Sequence, residues 1–173
     1  MLDNSSKWRP EPDWARAGLE GRTIQLRAIT GLQQRLVSGD LDRFLAEHGL
    51  GKDVGALGLA TGARYAVRLA RDRLLAVGIP VDDGWHDAGY AVTGVSSALR
   101  VFEARGDGIR DLLARATTID VDDPGPCAAL SFCGVTAVVY FHEDTQTLRI
   151  HADRGLAAYL WEWFECQPLL SAP

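Results

Sequence analysis

Histidine and cysteine side chains are the residues of this sequence that could ligate a metal ion or act as a nucleophile. A metal site needs three or four such ligands together, and recognisable motifs space them closely. No histidine lies in an HxH or HExxH pattern, and no two cysteines form CxxC. We therefore predict no metal ligand and no catalytic residue in this set: His48, His86, His142, His151, Cys127, Cys133 and Cys166.

Two pairs of neighbouring carboxylates are the remaining candidates for general acid–base chemistry. Asp82 and Asp83, like Asp122 and Asp123, lie beside proline or glycine. Aspartate is common in turns because its side chain bonds to nearby backbone amides, so turn formation explains both pairs. The sequence also has no GxSxG pattern, and it carries no motif for flavin or nicotinamide binding.

A glycine-rich stretch, residues 49–63, invites comparison with loops that bind phosphate. The phosphate loop of nucleotide-binding proteins needs a lysine followed by serine or threonine, whereas Lys52 is followed by Asp53. The dinucleotide motif needs three spaced glycines between a strand and a helix, and that arrangement is absent too. We interpret this stretch as a flexible connecting loop.

Charge and composition exclude several functional classes. The net charge is −5 and the lysines and arginines are scattered, so we expect no nucleic-acid partner and no membrane partner. No apolar run approaches the roughly 18–20 residues that span a bilayer, and the first residues lack the apolar core of a secretory signal. An odd number of cysteines at unrelated spacings predicts reduced thiols and a cytoplasmic location.

The first half of the chain alternates short strands with one helix. Residues 24–28 and 32–37 have strand patterns, and Asp40 is placed to cap a helix that ends at Gly49. Residues 65–77 alternate in a way that predicts a β-hairpin. A polar connection, residues 80–89, follows.

The second half repeats this mixture with clearer patterns. Asp107 is placed to cap a helix whose apolar residues recur at helical spacing, and further strands are predicted at 128–133, 135–141 and 147–151. Asp153 is placed to cap a final helix. We expect one side of that helix to carry Leu156, Tyr159, Leu160, Trp163 and Phe164.

These elements predict an α+β fold made of two small packed α/β lobes with mainly antiparallel strands. The order of elements fits a ferredoxin-like or related arrangement. We expect an N-terminal arm at residues 1–21 and one compact domain at 22–166, divided into lobes at about 22–80 and 90–166. Residues 167–173, with two prolines in the tail that follows Cys166, are expected to form a loose tail.

Three tryptophans are our candidates for a protein interface. Trp8 and Trp14 lie in the polar arm. Tryptophans there either anchor the segment on the surface of another protein or fold it back on its own domain. Trp161 lies off the predicted apolar side of the last helix, so we expect its indole to face outwards. Exposing these side chains together would be unfavourable, and a large exposed apolar patch is typical of an interaction surface.

The segment from Tyr90 to Glu165 resembles the gamma subunit of heterotetrameric sarcosine oxidase, a group similar in fold to folate-binding aminomethyltransferases. Three stretches carry the resemblance: VSSALRVFEARGDGIRDLLARATTIDVDDP, LSFCGVTAVVYF and LRIHADRGLAAYLWEWFE. Within the first, the matching positions are Gly106, Leu112, Leu113, Ile119 and Asp120. Relatives commonly carry an acidic residue where this chain has Gly94, and often another where it has Ser97.

The resemblance implies a noncatalytic small subunit of an oxidoreductase complex that demethylates an N-methyl amine such as sarcosine. The one-carbon unit would pass to tetrahydrofolate or leave as formaldehyde. Flavin and tetrahydrofolate are implied for the complex, while this chain alone would bind no cofactor. Its partners would be larger catalytic subunits of a hetero-oligomer.

Three alternatives stay open at this point. The chain could be a subunit of a different N-demethylating oxygenase or dehydrogenase, for example one acting on dimethylamine. It could be an independent tetrahydrofolate-binding one-carbon protein, although Gly94 and Ser97 supply no carboxylate for that chemistry. It could also be a scaffold with no metabolic role.

Overall fold

The computed structural model describes residues 10–170. Twelve strands and three helices lie in this range, in the following chain order: β1 (Gly18–Glu20), β2 (Gln25–Ile29), β3 (Gln34–Gly39), α1 (Leu41–Glu47), β4 (Leu59–Ala60), β5 (Tyr65–Ala70), β6 (Arg73–Val77), β7 (Gly84–His86), β8 (Tyr90–Gly94), β9 (Leu99–Arg105), α2 (Ile109–Ala116), β10 (Ala129–Phe132), β11 (Val135–His142), β12 (Asp144–Asp153) and α3 (Ala157–Glu165).

The strands form two sheets, which confirms the predicted α+β class. The first sheet has the order β1-β2-β9-β12-β11-β10, with β4 pairing in parallel with the far end of β11. The second sheet has the order β5-β6-β3-β8-β7 and is antiparallel throughout. The first sheet is called the helix-covered sheet below, because α2 and α3 pack on its outer face.

Four layers result, in the order α1, second sheet, helix-covered sheet, and then α2 with α3. Alternation along each strand produces this order, because neighbouring side chains point to opposite faces. On β12, Leu148 and Ile150 pack towards α2 and α3, while Arg149 and His151 face the second sheet. On β6, Leu74 faces α1 and Leu75 faces the helix-covered sheet.

The two sheets do not follow the two predicted lobes. Strand β2 pairs with β9 of the second half, and β8 pairs with β3 of the first half. The second sheet is therefore drawn from residues 34–94 and the helix-covered sheet, apart from β4, from residues on both sides of that range. Sequence patterns show each strand's own periodicity but carry no direct record of its partner, so they do not reveal how strands from the two halves combine in one sheet.

Both predicted terminal segments contribute to the fold where the structure describes them. The predicted arm contains β1 and the buried Trp14. At the other end, Leu170 is buried in the core beneath α2 and α3. The backbone of Gly21 lies so close to Leu169 that a Cβ there would be 1.8 Å from the Leu169 carbonyl oxygen. Gly21 and residues 169–170 are thus in close contact.

Candidate functional site

A chain of polar side chains crosses the space between the two sheets. We call it the buried polar network; its members are Gln34, Tyr65, Tyr140, Arg149 and His151. The second sheet contributes Gln34 and Tyr65, and the helix-covered sheet contributes the other three. Apolar side chains that include Val67, Leu75 and Val77 pack in the same layer.

The geometry of the network fixes the direction of every hydrogen bond. Arg149 Nη1 can only donate, and it lies 2.7 Å from the Tyr65 hydroxyl. At the other end, His151 Nδ1 donates to Gln34 Oε1 at 2.6 Å, which leaves Nε2 of a neutral ring as an acceptor. Tyr140 therefore donates to His151 Nε2 at 2.7 Å and accepts from Tyr65 at 2.8 Å.

Burial keeps the titrating members of the network uncharged near neutral pH. It lowers the pKa of His151 to about 3, and the nearby charge of Arg149 acts in the same direction. Burial also raises the pKa of Tyr140 well above its usual value, and it raises that of Tyr65. Groups whose pKa values lie so far from neutral pH are poorly suited to proton transfer. They are better suited to a structural connection between the sheets.

An ion triad extends the network to the edge of the layer. Glu103 Oε2 accepts from Arg149 Nε at 3.0 Å, and Glu103 Oε1 accepts from Arg27 Nη2 at 2.6 Å. Burial alone would raise the pKa of Glu103, but the hydrogen bonds from both arginines outweigh it and hold that pKa below its usual value. Glu103 is therefore a buried carboxylate with both oxygens occupied.

A cleft of about 350 Å³ opens at the Arg149 end of the network. Its walls are formed by Leu32, Gly62, Ala63, Tyr65, His142, Glu143 and Arg149. The polar groups of the wall largely bind one another. His142 Nε2 lies 3.1 Å from the Gly62 carbonyl oxygen, and Glu143 accepts from the Gly62 amide at 2.8 Å.

A second cleft, of about 650 Å³, is walled by the glycine-rich stretch and by residues 125–127. The stretch is bound to the rest of the fold, since the Leu57 amide donates to the Val139 carbonyl oxygen at 3.1 Å. Gly55 lies so near Pro126 that a Cβ would be 2.8 Å from its carbonyl oxygen. Arg68 forms a two-pronged ion pair with Asp53, at 2.5 and 2.9 Å, on the same wall.

The structure does not bring the histidines and cysteines together. Within residues 10–170, no three His, Cys, Asp or Glu side chains lie close enough to hold a metal ion. His48 packs on Phe44 and His86 stacks on the Tyr90 ring. Burial raises the pKa of Cys133 to about 12, so its sulfur is a thiol near neutral pH.

Trp14 and Trp161 lie in the core, and the expectation that Trp161 faces outwards is wrong. Trp161 is 4% exposed and Trp14 is 8% exposed. The buried side of α3 is rotated by about one residue from the predicted side, because Trp161 packs against Trp14 and Phe102. Leu156 and Tyr159 are left exposed. Trp8 lies outside the described residues.

Within residues 10–170, the most exposed tryptophan is Trp85, which was not among the predicted interface residues. It lies on β7 with 71% of its surface exposed. A signal was present, since Trp85 is the sole large apolar side chain among the aspartates and glycines of residues 82–89. A core tryptophan normally has apolar neighbours at strand or helix spacing.

The sequence matches no model of a known protein family and no curated protein. Among solved structures, it superposes on a chain of heterotetrameric sarcosine oxidase from Corynebacterium sp. U-96, solved in complex with pyrrole 2-carboxylate. The TM-score is 0.66 at 14% sequence identity, over 83% of each chain. The two chains share a fold. Because the same share of both is covered, they are also similar in length.

None of the helices within residues 10–170 has the length and apolar character needed to cross a lipid bilayer.

Proposed function

We propose that this chain is a noncatalytic small subunit of an oxidoreductase complex that demethylates an N-methyl amine. The observation that carries the proposal is the shared fold with a chain of a heterotetrameric sarcosine oxidase, over 83% of both chains. A partial match could reflect a common folding motif, whereas a match along most of two chains of similar length favours an equivalent subunit. Fold alone does not determine function, so the chemistry of the side chains has to agree.

The described side chains agree with a structural role. His151 and Tyr140 are held in their neutral forms, and Glu103 has both oxygens bound by arginines. Cys133, with its pKa raised to about 12, is a poor nucleophile near neutral pH. Tyr140 and His151 connect the two sheets through their hydrogen bonds with Tyr65 and Gln34.

The chemistry of the complex would then take place on larger partner subunits. Those subunits would bind the amine, the flavin and tetrahydrofolate, and the one-carbon unit would be transferred to tetrahydrofolate or released as formaldehyde. This chain would stabilise the assembly by packing against them, in the cytoplasm. Sarcosine is the candidate amine because the protein of similar fold is a sarcosine oxidase.

The test is to purify the tagged chain from its native cells, with an untagged strain as the control. We expect larger proteins to co-purify in fixed proportion, with the absorption spectrum of a flavin and with sarcosine-dependent formation of hydrogen peroxide or reduction of an added acceptor. A haem or iron spectrum with activity on dimethylamine would instead identify a different demethylating complex. A colourless chain without partners would contradict the proposal.

A further inference from the structure

Trp85 is an exposed aromatic side chain on the edge of the second sheet. Strand β7 is the last strand of that sheet and, within residues 10–170, pairs with β8 alone. Its other edge therefore presents unpaired backbone groups, which can accept an additional strand from another protein. Tryptophan is among the residues most enriched where protein interfaces gain most of their affinity.

The segment around Trp85 is held in place before any partner binds. The His86 ring stacks on Tyr90 with ring centres 4.7 Å apart, and its Nε2 lies 3.0 Å from the Asp82 carbonyl oxygen. On the other side, the Asp83 carboxylate pairs with Arg35 at 3.2 Å. A side chain on a pre-organised strand loses little conformational entropy when it is covered, and this favours binding.

Charge around the indole indicates the chemistry of the partner. Asp82, Asp83 and Asp87 are all exposed in the same short segment. Among the described residues, the carboxylates of Asp82 and Asp87 have no hydrogen-bond or ion-pair partner, whereas the Asp83 carboxylate forms an ion pair with Arg35. A positively charged surface complements this arrangement, and a guanidinium group stacks favourably on an indole face.

We propose that β7 is the docking edge for a larger partner subunit. The partner places an extended segment along the free edge of β7 and a cationic side chain, preferably arginine, over the Trp85 indole. Asp82 and Asp87 attract that basic segment. This inference rests on the proposed function, because it identifies the surface through which the small subunit joins its complex.

The first experiment compares matched variants in the complex purified from native cells. Trp85→Ala is expected to weaken association of the small subunit with the larger ones by at least about 10-fold. The control is Tyr159→Ala, which truncates another exposed aromatic, 50% exposed, on α3 at the opposite side of the layers. Circular dichroism should show that both variants keep the fold, because neither side chain is in the core.

Ionic strength tests the role of charge. Association of the wild-type chain should weaken as salt is added, since exposed charges are screened. The double variant Asp82→Asn and Asp87→Asn should associate more weakly at low salt and depend less on salt. An association as salt-sensitive in this double variant as in the wild type would overturn the proposed charge complementarity.

A crosslinking experiment identifies the occupant directly. Trp85 is replaced by the photoreactive residue p-benzoylphenylalanine, the complex is irradiated, and the crosslinked peptide is sequenced by mass spectrometry. A peptide of a larger subunit that carries arginine or lysine supports the proposal. A crosslink to a second copy of this chain, to an acidic peptide or to a nucleic acid overturns it.

The outcomes separate this inference from the proposed function. A complex that forms normally with Trp85→Ala overturns the docking edge and leaves the proposed function intact. A wild-type chain that joins no larger subunit overturns both.

Discussion

The indole rings of Trp14 and Trp161 lie 5.8 Å apart in an edge-to-face arrangement, and Phe102 packs against both of them. This contact joins the N-terminal segment to α3 across the end of the helix-covered sheet. The Arg100 guanidinium lies over the Trp14 ring, 5.0 Å from its centre. Residues from three distant parts of the chain thus form one aromatic cluster.

Removing an indole from this cluster should destabilise the fold. We expect Trp161→Ala to lower the free energy of unfolding by about 3–5 kcal/mol, because it removes a large buried side chain and leaves a cavity. Urea unfolding followed by circular dichroism measures the change. Trp85→Ala is the matched control and should cost under about 1 kcal/mol, since an exposed side chain makes few contacts. Equal losses for the two variants would contradict the assignment of Trp161 to the core.

Local patterns predicted most of the individual elements. The 65–77 hairpin is present as β5 and β6, and Asp40 caps α1 by accepting from the Arg43 amide at 3.0 Å. Helix α2 is also present as its apolar spacing predicts, although Gly108 rather than the predicted Asp107 occupies its N-cap position. Periodicity within one element is a property of neighbouring residues, so the sequence displays it directly.

The candidate site could not be predicted in the same way. Gln34 and His151 share a hydrogen bond although 117 positions separate them. Nothing in the residues near either one indicates the other, and the pairing depends on how the two sheets stack. The buried side of α3 was ambiguous for a different reason, because its run of apolar residues fits two overlapping helical faces that differ by one position.

The hydroxyl of Tyr140 should contribute measurably to stability. Tyr140→Phe leaves His151 Nε2 without its donor and Tyr65 without its acceptor, in a buried layer. An unsatisfied buried polar group costs about 1–3 kcal/mol, so we expect a loss of that size in urea unfolding. Tyr159→Phe removes an exposed hydroxyl that bonds to the Cys133 carbonyl oxygen, and it should cost less than about 0.5 kcal/mol. A neutral Tyr140→Phe would mean that the network is not a stabilising connection.

Stability should fall in mild acid because of His151. Its pKa is about 3 in the folded protein, whereas an unfolded histidine titrates near pH 6.5. Between these two pH values the unfolded chain binds a proton that the folded protein does not. The stability that neutral His151 contributes is therefore fully present above about pH 6.5 and is lost as the pH falls. We expect the free energy of unfolding to drop by about 2 kcal/mol from pH 7 to pH 5 through this residue.

A His151→Gln variant isolates that contribution. Burial also lowers the pKa of His48, which acts in the same direction, but the variant retains His48. The variant also retains every carboxylate, so the comparison with the wild type isolates His151. Urea unfolding at pH 7, 6 and 5 should therefore show a smaller slope for His151→Gln than for the wild type. Parallel slopes would show that His151 is protonated as easily when folded as when unfolded.

The turn after β6 should tolerate no side chain at Gly78. Its φ is +69°, and a Cβ there would lie 2.0 Å from the Ala63 carbonyl oxygen. Gly31 has a similar φ of +77° but open space around it, so Gly31→Ala should cost only the backbone strain of about 1–2 kcal/mol. Gly78→Ala adds a clash with backbone that cannot move without disrupting the sheet edge. We expect it to destabilise the protein by clearly more than Gly31→Ala in urea unfolding, and a similar loss in both would contradict the close approach of residues 63 and 78.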